Sequence, residues 1–537
     1  MKIRSAYYIP ALLLVCFFIF FTNLDVIYVN IMEARNFITA REMLQYGNWF
    51  KTTMNLEPRY EKPPLPTWLT AFSASIFGLK NLIGLRLPAV LSVTFLIITS
   101  FFFGIRIFNN KKQSFIASLI LTTSFYIIFS GRNGQWDIFA HSFMLFAIYK
   151  LFIAFEDVSP SWKNFIVAGI FLGLSFMSKG PVSFFALLLP FLIAYGITYK
   201  FSNYRQKITP TFVMILFFVI IGLSWGIYIY LTDSSSANAI AEKETVAWAN
   251  RNVRSWYYYW SFFTQSGLWT FFSFIALLYP FMIKKVTDKK AYKFTFAWTI
   301  ATVILLSLIP EKKARYLLPV LIPMALNTSF YIHYLIFEGK QLLKTDRYIT
   351  NIGFGLVGLI CIAFPLGGYF YFKDKLDGFW IYYTITSIIL PITGIFIFYS
   401  LTKKKYENVF YSSIFMMCVI MTIGFPMAKI FYDNPNFNNI STLRNNESLK
   451  NIELYKYDEI TPELIWELGE PIKTIDETTT LPENSNVGYL ATYDIPDFIL
   501  QKYILQPVDT FDINYVNPSK KGYKNRLTAK LYLIQSK

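Results

Sequence analysis

Long apolar runs separated by short polar segments dominate the chain up to residue 428. A helix needs about 20 apolar residues to cross a bilayer. Thirteen runs come close to that length: 7–24, 84–107, 114–131, 136–155, 163–178, 181–199, 209–231, 260–283, 293–309, 316–337, 349–373, 378–401 and 408–428. A shorter apolar stretch, 65–78, follows a proline-rich segment. The pattern predicts a polytopic α-helical membrane protein with about 13 transmembrane helices.

The pattern changes after residue 428, where short alternating segments replace the long runs. Three of these segments have the alternation typical of strands: 452–457, 486–492 and 530–535. Thr461 followed by Pro462 is a helix-start signal. The sequence therefore predicts a transmembrane domain at 1–428 and a small α/β domain at 429–537.

Composition and charge agree with this division. Of the 537 residues, 54% are hydrophobic and 15% charged, whereas charged residues make up roughly a quarter of a soluble domain. This excludes a cytosolic enzyme and a disordered chain. The net charge of +17 resides in residues 1–428, which hold 38 basic and 18 acidic residues, whereas 429–537 hold 12 basic and 15 acidic. An excess of Lys and Arg in cytoplasmic loops is expected of a membrane protein, so the charge does not imply a nucleic-acid partner.

The basic loops also predict the orientation. If 65–78 does not span the membrane, the Lys- and Arg-rich loops all fall on the same side as the N-terminus, and that side is cytoplasmic. If 65–78 did span, every later loop would invert. We therefore interpret 65–78 as a juxtamembrane or re-entrant segment. Loops 25–83 and 232–259 and the C-terminal domain are then external.

Several charged residues in the external segments are unusual for their position. The cations are Arg35, Arg41, Lys62, Lys179, Lys312, Lys313 and Arg315, and the carboxylates include Glu33, Glu42, Glu61, Asp137, Glu244 and Glu311. Ionisable groups at membrane depth are costly and often functional. Cations bind phosphate, and a carboxylate can act as a general base, so the set suits an anionic, lipid-linked substrate. Simpler alternatives stay open: an interfacial helix around Glu33, a helix cap at Asp137 and lipid head-group binding at 312–315.

Motifs for other chemistries are absent from the sequence. There is no HExxH, no Cys/His cluster, no P-loop and no Rossmann fingerprint. No zinc site, nucleotide-sugar donor or other cofactor is therefore predicted.

Five segments occur in an order that resembles the C-type (GT-C) membrane glycosyltransferases: MEARNFITAREMLQYGNW, RYEKPPLPTW, GRNGQWDIF, MSKGPV and RYLLPVLIP. They are most similar to the lipid A aminoarabinose transferases and protein O-mannosyltransferases (glycosyltransferase family 39/83-like), over about residues 1–330. The resemblance implies a GT-C fold and an inverting pentosyl- or hexosyltransferase that uses a polyprenyl (undecaprenyl) phosphate sugar. The implied acceptor is lipid A, another envelope glycolipid or a protein. The implied location is the outer face of a bacterial inner membrane, with the N-terminus cytoplasmic and the C-terminal domain periplasmic.

The resemblance also implies roles for most of the unusual residues. The family's usual catalytic acid would fall at Met32, and Glu33 follows it. The implied catalytic residues are Glu33 and Asp137; the implied donor-phosphate ligands are Arg35, Lys62, Lys179, Lys312 and Arg315; the implied acceptor or loop contacts are Glu61, Glu244, Trp256 and Tyr257. Some relatives bind a structural metal through the glutamate of the EKP motif and histidines. No external histidine is present here, so no metal is expected.

Two other functions fit an external anionic site. A transporter or flippase of lipid-linked sugars would have charged groups near the bilayer midplane and inverted repeats, and the sequence shows neither. An envelope polysaccharide polymerase also works on the outer face, but the EKPP and REML motifs argue against it. Membrane lipids, the donor and the acceptor are the expected partners.

Overall fold

The computed structural model describes residues 4–339, 341–479, 481 and 487–537. Within these residues, eight helices are long and apolar enough to cross a membrane: Leu82–Phe108, Asp137–Glu156, Arg205–Gly222, Lys289–Leu308, Ala314–Phe337, Lys344–Lys375, Trp380–Thr402 and Tyr406–Phe431. A ninth is added if Lys111–Thr122 and Phe125–Gly131, which meet at 67°, form one bent span. The protein is therefore a multi-pass helical membrane protein, as predicted.

By length and composition the structure supports eight or nine spans, fewer than the thirteen predicted. Two of the predicted spans fall on shorter apolar helices, Ser5–Phe21 and Phe184–Thr198. The run 163–178 lies in the 18-residue helix Trp162–Lys179, which is not among the eight. The stretch 65–78 forms the 13-residue helix Leu65–Phe77, too short for an ordinary span.

The apolar run 260–283 was wrongly predicted as one helix. It is divided into Phe262–Trp269, Thr270–Ala276 and Tyr279–Met282. Gly267 has a positive φ of 61°, which helical residues do not adopt, and Pro280 begins the third piece, where its missing N–H is tolerated. The run is apolar because it packs inside the helical body, where Trp269 and Ala276 are fully buried.

A five-stranded mixed sheet forms the core of the C-terminal region. The strands, after a two-stranded ribbon of β1 (Thr53–Met54) and β2 (Glu57–Pro58), are β3 (Glu453–Lys456), β4 (Lys473–Thr474), β5 (Val487–Ala491), β6 (Tyr503–Asp512) and β7 (Thr528–Ser536). Their order is β4-β3-β5-β7-β6. Strand β3 runs parallel to both of its neighbours, whereas β7 is antiparallel to both of its own. Short helices Pro462–Leu468 and Asp497–Lys502 accompany the sheet.

The three predicted strands correspond to β3, β5 and β7, and a helix follows Thr461 as predicted. Residue 486, the first of the second predicted strand, lies outside the described residues. Strands β4 and β6 were not predicted. Strand β6 is mostly exposed and is interrupted by an irregularity after Pro507, so it lacks a clear alternation. The domain boundary at residue 428 stays a prediction.

Helix Ile31–Tyr46, which packs against the C-terminal region, helps to position the candidate site. It begins at a capping box in which Asn30 and Glu33 satisfy each other's backbone N–H groups. It ends at Gly47, whose φ of 75° is a left-handed cap. Its Arg41 donates a hydrogen bond to the Ile465 carbonyl of helix Pro462–Leu468. We call this end of the helical body, where Ile31–Tyr46 meets the C-terminal region, the domain-side end.

Candidate active site

A buried ion pair between Asp137 and Lys179 is the centre of the candidate site. Asp137 is the first residue of helix Asp137–Glu156 and Lys179 the last of helix Trp162–Lys179, positions where the helix dipole favours each charge. Both side chains are buried, and the ammonium of Lys179 donates to Oδ1 of Asp137. The second oxygen, Oδ2, is also buried and has no hydrogen-bond partner within the described chain. This oxygen can accept a proton or a hydrogen bond from a substrate.

Further cations lie around this pair. Arg315 is close enough to act electrostatically on both Asp137 and Lys179, and Lys62 acts on Lys179. The ring of Tyr316 lies between 5.7 and 5.8 Å from the charged groups of Lys179, Lys313 and Arg315. This arrangement concentrates positive charge beside one carboxylate. It is the electrostatic setting in which a phosphate binds.

The turn that carries Arg315 is built by its own side chains. Glu311 pairs with Lys313 and accepts a 3.0 Å hydrogen bond from the Tyr316 hydroxyl. Burial raises the pKa of Glu311, but the bonds from Lys313 and Tyr316 more than offset this and leave its pKa below the ordinary value. Glu311 is therefore ionised and holds the turn in place.

The side chain of Lys312 binds backbone carbonyls, and its predicted role as a phosphate ligand stays a prediction. Its ammonium donates to the carbonyls of Ile309, at 2.6 Å, and Arg254, at 3.1 Å, and the residue is only 4% exposed. The backbone of the neighbouring Lys313 exchanges two 3.0 Å hydrogen bonds with the Tyr259 hydroxyl. Lys312 therefore joins the turn to the preceding loop.

The EKP segment contributes a charged rim. The Lys62 ammonium lies 3.5 Å from Glu244 of helix Ser234–Asn250, and both residues are partly exposed. Glu61 keeps one buried oxygen without a hydrogen-bond partner in the described residues, and that oxygen lies 4.0 Å from Arg59. Lys62 can therefore exchange its carboxylate partner for a substrate phosphate.

Arg59 was not predicted from the sequence, although it stands two residues before the EKP motif in a segment that the charge pattern predicts to be external. It is buried, its guanidinium lies 4.8 Å from the centre of the Trp136 ring, and it donates to the Thr39 hydroxyl. Burial lowers the pKa of Arg59 to about 10. Arg35 acts electrostatically on Arg59, and its own Nε is buried and unpaired among the described groups. Arg35, in helix Ile31–Tyr46, thus adds a further cation beside Arg59.

Glu33 lies in a second buried ion pair, with Arg86. Its carboxylate accepts hydrogen bonds from Arg86 Nε at 2.7 Å and Nη2 at 2.8 Å. It also accepts from the Gly134 backbone N–H at 2.9 Å and the Asn30 side-chain amide at 2.9 Å. Arg86 was missed because it lies inside an apolar run, although an ionisable group at membrane depth is itself a signal. The pair fastens the turn that leads to Asp137.

The turn before Asp137 has a steric requirement at Gly134. A Cβ built there would lie 2.5 Å from the Phe37 ring, so no larger residue fits without a shift. The Gly134 carbonyl also accepts a 2.8 Å bond from the Asn36 amide. Helix Ile31–Tyr46 therefore contacts Gly134 through Glu33, Asn36 and Phe37, and these three contacts help to position the turn that leads to Asp137.

The structure brings together Asp137, Lys179, Lys62 and Arg315, with Glu61 and Glu244 at the rim. Arg35 lies near Arg59. Trp256 and Tyr257 are 77% and 57% exposed, and their contact with an acceptor stays a prediction; the buried ring of that segment is Tyr259. No group of three or more His, Cys, Asp or Glu residues in the described ranges could hold a metal ion.

The sequence and the fold of this chain were compared with those of known proteins, and both comparisons find membrane glycosyltransferases. The model of the dolichyl-phosphate-mannose-protein mannosyltransferase family matches residues 61–225. An undecaprenyl phosphate-alpha-4-amino-4-deoxy-L-arabinose arabinosyl transferase of Pseudomonas fluorescens is 23% identical, over 62% of this chain and 60% of its own. The enzyme of the same name from Serratia proteamaculans is 23% identical, over 62% and 59%. The chain thus spans about 60% of the length of these curated relatives.

Among solved structures, ArnT from Cupriavidus metallidurans bound to undecaprenyl phosphate superimposes with a TM-score of 0.68, covering 98% of this chain and 97% of its own at 14% identity. The helical body, juxtamembrane helices and C-terminal sheet therefore define a multi-pass membrane protein with the ArnT fold. In part of its sequence the chain is distantly similar to the dolichyl-phosphate-mannose-protein mannosyltransferase family and to undecaprenyl phosphate arabinosyl transferases, and it shares the fold of ArnT.

Proposed function

We propose that the protein is an inverting glycosyltransferase that moves a sugar from a polyprenyl phosphate to an envelope acceptor. The observation that carries this proposal is the unpaired, buried Oδ2 of Asp137 beside a concentration of cations. One carboxylate and several cations are what the reaction needs at one place. The similarity to undecaprenyl phosphate-alpha-4-amino-4-deoxy-L-arabinose arabinosyl transferases supports undecaprenyl phosphate as the carrier.

In the proposed reaction an acceptor oxygen attacks the anomeric carbon, and the bond from that carbon to the phosphate oxygen breaks. Asp137 accepts the acceptor's proton through Oδ2, or orients an acceptor phosphate that is already deprotonated. The polyprenyl phosphate leaves with both electrons of the broken bond, and Lys62, Arg315 and Lys179 stabilise its charge. A single displacement inverts the anomeric configuration.

The proposed roles follow the contacts. Glu33 as the base stays a prediction; its five accepted hydrogen bonds favour a positioning role, because they occupy both oxygens and compete with a proton from the acceptor. Lys312 likewise positions the turn. Arg35 and Lys62 are proposed to bind the donor phosphate.

The acceptor and the topology are part of the same proposal. Lipid A, another envelope glycolipid or a protein would meet the donor at the outer face of a bacterial inner membrane. The N-terminus would be cytoplasmic and the C-terminal domain extracytoplasmic, which needs an odd number of crossings. The predicted count of thirteen provides this if five further segments each cross: the bent helix pair, the short helices Ser5–Phe21 and Phe184–Thr198, the helix Trp162–Lys179 and the broken segment 262–282.

Transfer of a labelled sugar from its undecaprenyl phosphate carrier, measured in nanodiscs, tests the function. We expect transfer by the wild type, little transfer by Asp137→Asn, and normal transfer by the matched control Asp494→Asn, whose carboxylate is exposed in the C-terminal domain. Equal transfer by all three proteins would contradict the site assignment. Movement of the label across the bilayer without a new glycosidic bond would instead identify a flippase.

A further inference from the structure

A cavity lies between helix Ile31–Tyr46 and the C-terminal region. Its volume is about 600 Å³, within the usual range of small-molecule sites. Arg41, Lys80 and Lys429 contribute cations to its lining, and Tyr28, Trp466 and Tyr515 contribute aromatic rings. Asp137, Lys179 and Lys62 are not part of this lining. The cavity is therefore separate from the candidate active site.

Arg41 is the informative residue of this cavity. It is 3% exposed, and its guanidinium makes one hydrogen bond, of 3.3 Å, to the Ile465 carbonyl. Its Nε and Nη2 are buried and have no acceptor in the part of the chain that is described. A buried guanidinium without an acceptor is costly, and its planar fork matches phosphate and carboxylate groups. The unused N–H groups therefore point to an anionic ligand.

The remaining charges of the cavity are mixed. Lys80 and Lys429 are exposed at its rim, and Asp25 and Glu467 also line it. Burial raises the pKa of Glu467, an effect that a 2.7 Å bond from Asn439 opposes. Three cations thus outnumber two carboxylates. The carboxylates supply acceptors for hydroxyl groups.

One wall of the cavity is aromatic. Tyr28 stacks on Tyr515 with ring centres 4.7 Å apart, and Tyr432 lies 4.6 Å from Tyr515. Trp466 also lines the cavity, and the centre of its ring lies 5.3 Å from that of Phe37. Tyrosine and tryptophan combine an apolar face with a polar tip. Such faces suit the C–H surface of a sugar ring, and the polar tips suit its hydroxyl groups.

We propose that this cavity binds an anionic saccharide, a sugar that carries a phosphate or carboxylate group. Arg41 binds the anionic group, and the tyrosine and tryptophan rings hold the sugar. Assigning this saccharide to the acceptor rests on the proposed transferase function. Phe37 touches Trp466 on one side and approaches Gly134, in the turn before Asp137, on the other, so an acceptor anchored at Arg41 must extend past this helix to bring its attacking oxygen to Asp137. One helix thus separates the two sites.

Binding can be measured without donor and without catalysis. Full-length protein in nanodiscs is titrated calorimetrically with N-acetylglucosamine 1-phosphate, and with inorganic phosphate and N-acetylglucosamine as comparisons. We expect the sugar phosphate to bind more tightly than either comparison. Arg41→Gln should weaken it at least about tenfold, since a lost charge-assisted bidentate contact is worth at least that ratio. Lys521→Gln removes an exposed charge from the same region and should change nothing.

A second variant protects the test from misfolding. Lys80→Gln/Lys429→Gln alters only exposed rim residues and should weaken binding about two- to fivefold, as expected of solvent-screened charges. Unchanged affinity in both cavity variants, or equal binding of inorganic phosphate and sugar phosphate, would overturn the proposal.

Two further comparisons separate the sources of the ligand and the two proposals. Lipid A included in the nanodisc should compete with the sugar phosphate if the saccharide is a lipid head group. Binding that is Arg41-dependent but is not displaced by lipid A supports a soluble saccharide phosphate. If the protein transfers no sugar but binds the sugar phosphate through Arg41, the cavity proposal is supported and the transferase proposal is contradicted. If the protein transfers sugar but its binding does not depend on Arg41, the transferase proposal is supported and the cavity proposal is contradicted.

Discussion

Two buried ion pairs at the domain-side end differ in how their hydrogen-bonding capacity is used. Glu33 accepts four strong bonds, and Arg86 donates to three backbone carbonyls besides the carboxylate. Asp137 receives one ammonium and keeps its second oxygen without a partner in the described structure. The first pair is saturated and the second is incomplete. Because both carboxylates are buried, the proposed catalytic role of Asp137 rests on its unused hydrogen-bonding capacity and not on burial.

The difference has an energetic basis. Burying an ion costs several kcal/mol unless hydrogen bonds compensate. Full compensation at Glu33–Arg86 makes that pair a rigid support. Partial compensation at Asp137–Lys179 leaves interactions that a substrate can complete. This division predicts opposite outcomes for substitutions at the two pairs.

The largest effect should follow Asp137→Asn. The amide keeps the size of the side chain but cannot take a proton from the acceptor, so turnover should fall about 10²- to 10⁴-fold, the typical contribution of a general base. Labelled-sugar transfer in nanodiscs measures this loss. Size-exclusion elution of the variant should match the wild type. A turnover within threefold of wild type would assign the chemistry elsewhere.

Arg86→Met should act mainly on stability. It leaves Glu33 buried without its cation, which costs about 3–5 kcal/mol, and the loss is read from thermal unfolding in detergent. The double variant Glu33→Gln/Arg86→Met should recover part of that stability, because no unpaired charge remains. If the double variant is as unstable as the sum of the two single variants, the pair does not act as a unit.

Substitutions of Arg315 and Lys312, two cations of the same turn, should have smaller effects that again separate substrate binding from stability. Arg315→Gln should raise the KM for the donor about tenfold, as expected for one lost phosphate contact. Lys312→Gln should instead lower the unfolding temperature and leave that KM nearly unchanged, because its ammonium binds two carbonyls. Steady-state kinetics and thermal unfolding of both variants test this, and identical behaviour would contradict the separate roles.

The smallest effect is expected at an exposed contact. Asp433 pairs with Lys375 and Lys520 and thereby links a helix end to the C-terminal region. Hydrogen bonds from these two lysines lower the pKa of Asp433. Its stabilisation is therefore complete above the unfolded-state pKa and is lost as the pH falls through the lower folded-state value. Asp433→Asn should reduce stability slightly at neutral pH and make the acid loss of stability shallower, as measured by unfolding between pH 6 and about 2.

Much of the candidate site could be predicted because Lys62, Asp137 and Lys179 stand where charges are unusual. The residues with which these side chains interact could not be predicted. Arg86 lies within an apolar run, and its pairing with Glu33 joins residues 53 positions apart. Lys312 and Arg315 share one short turn, and only the coordinates show that the Lys312 ammonium turns to backbone carbonyls. Fewer helices than the thirteen apolar runs have the length and composition of an ordinary span, because an apolar run, such as 260–283, is equally consistent with a broken segment packed in the body.

The most direct test of the account compares the two carboxylates in one assay. Single-turnover transfer from prebound donor is measured for Asp137→Asn and Glu33→Gln in identical nanodiscs, below the unfolding temperature of both. The account predicts a rate at least about 100-fold slower for Asp137→Asn, the lower end of a general-base contribution, and a Glu33→Gln rate within about tenfold of wild type. The reverse order, a fast Asp137→Asn and an inactive but folded Glu33→Gln, would contradict it.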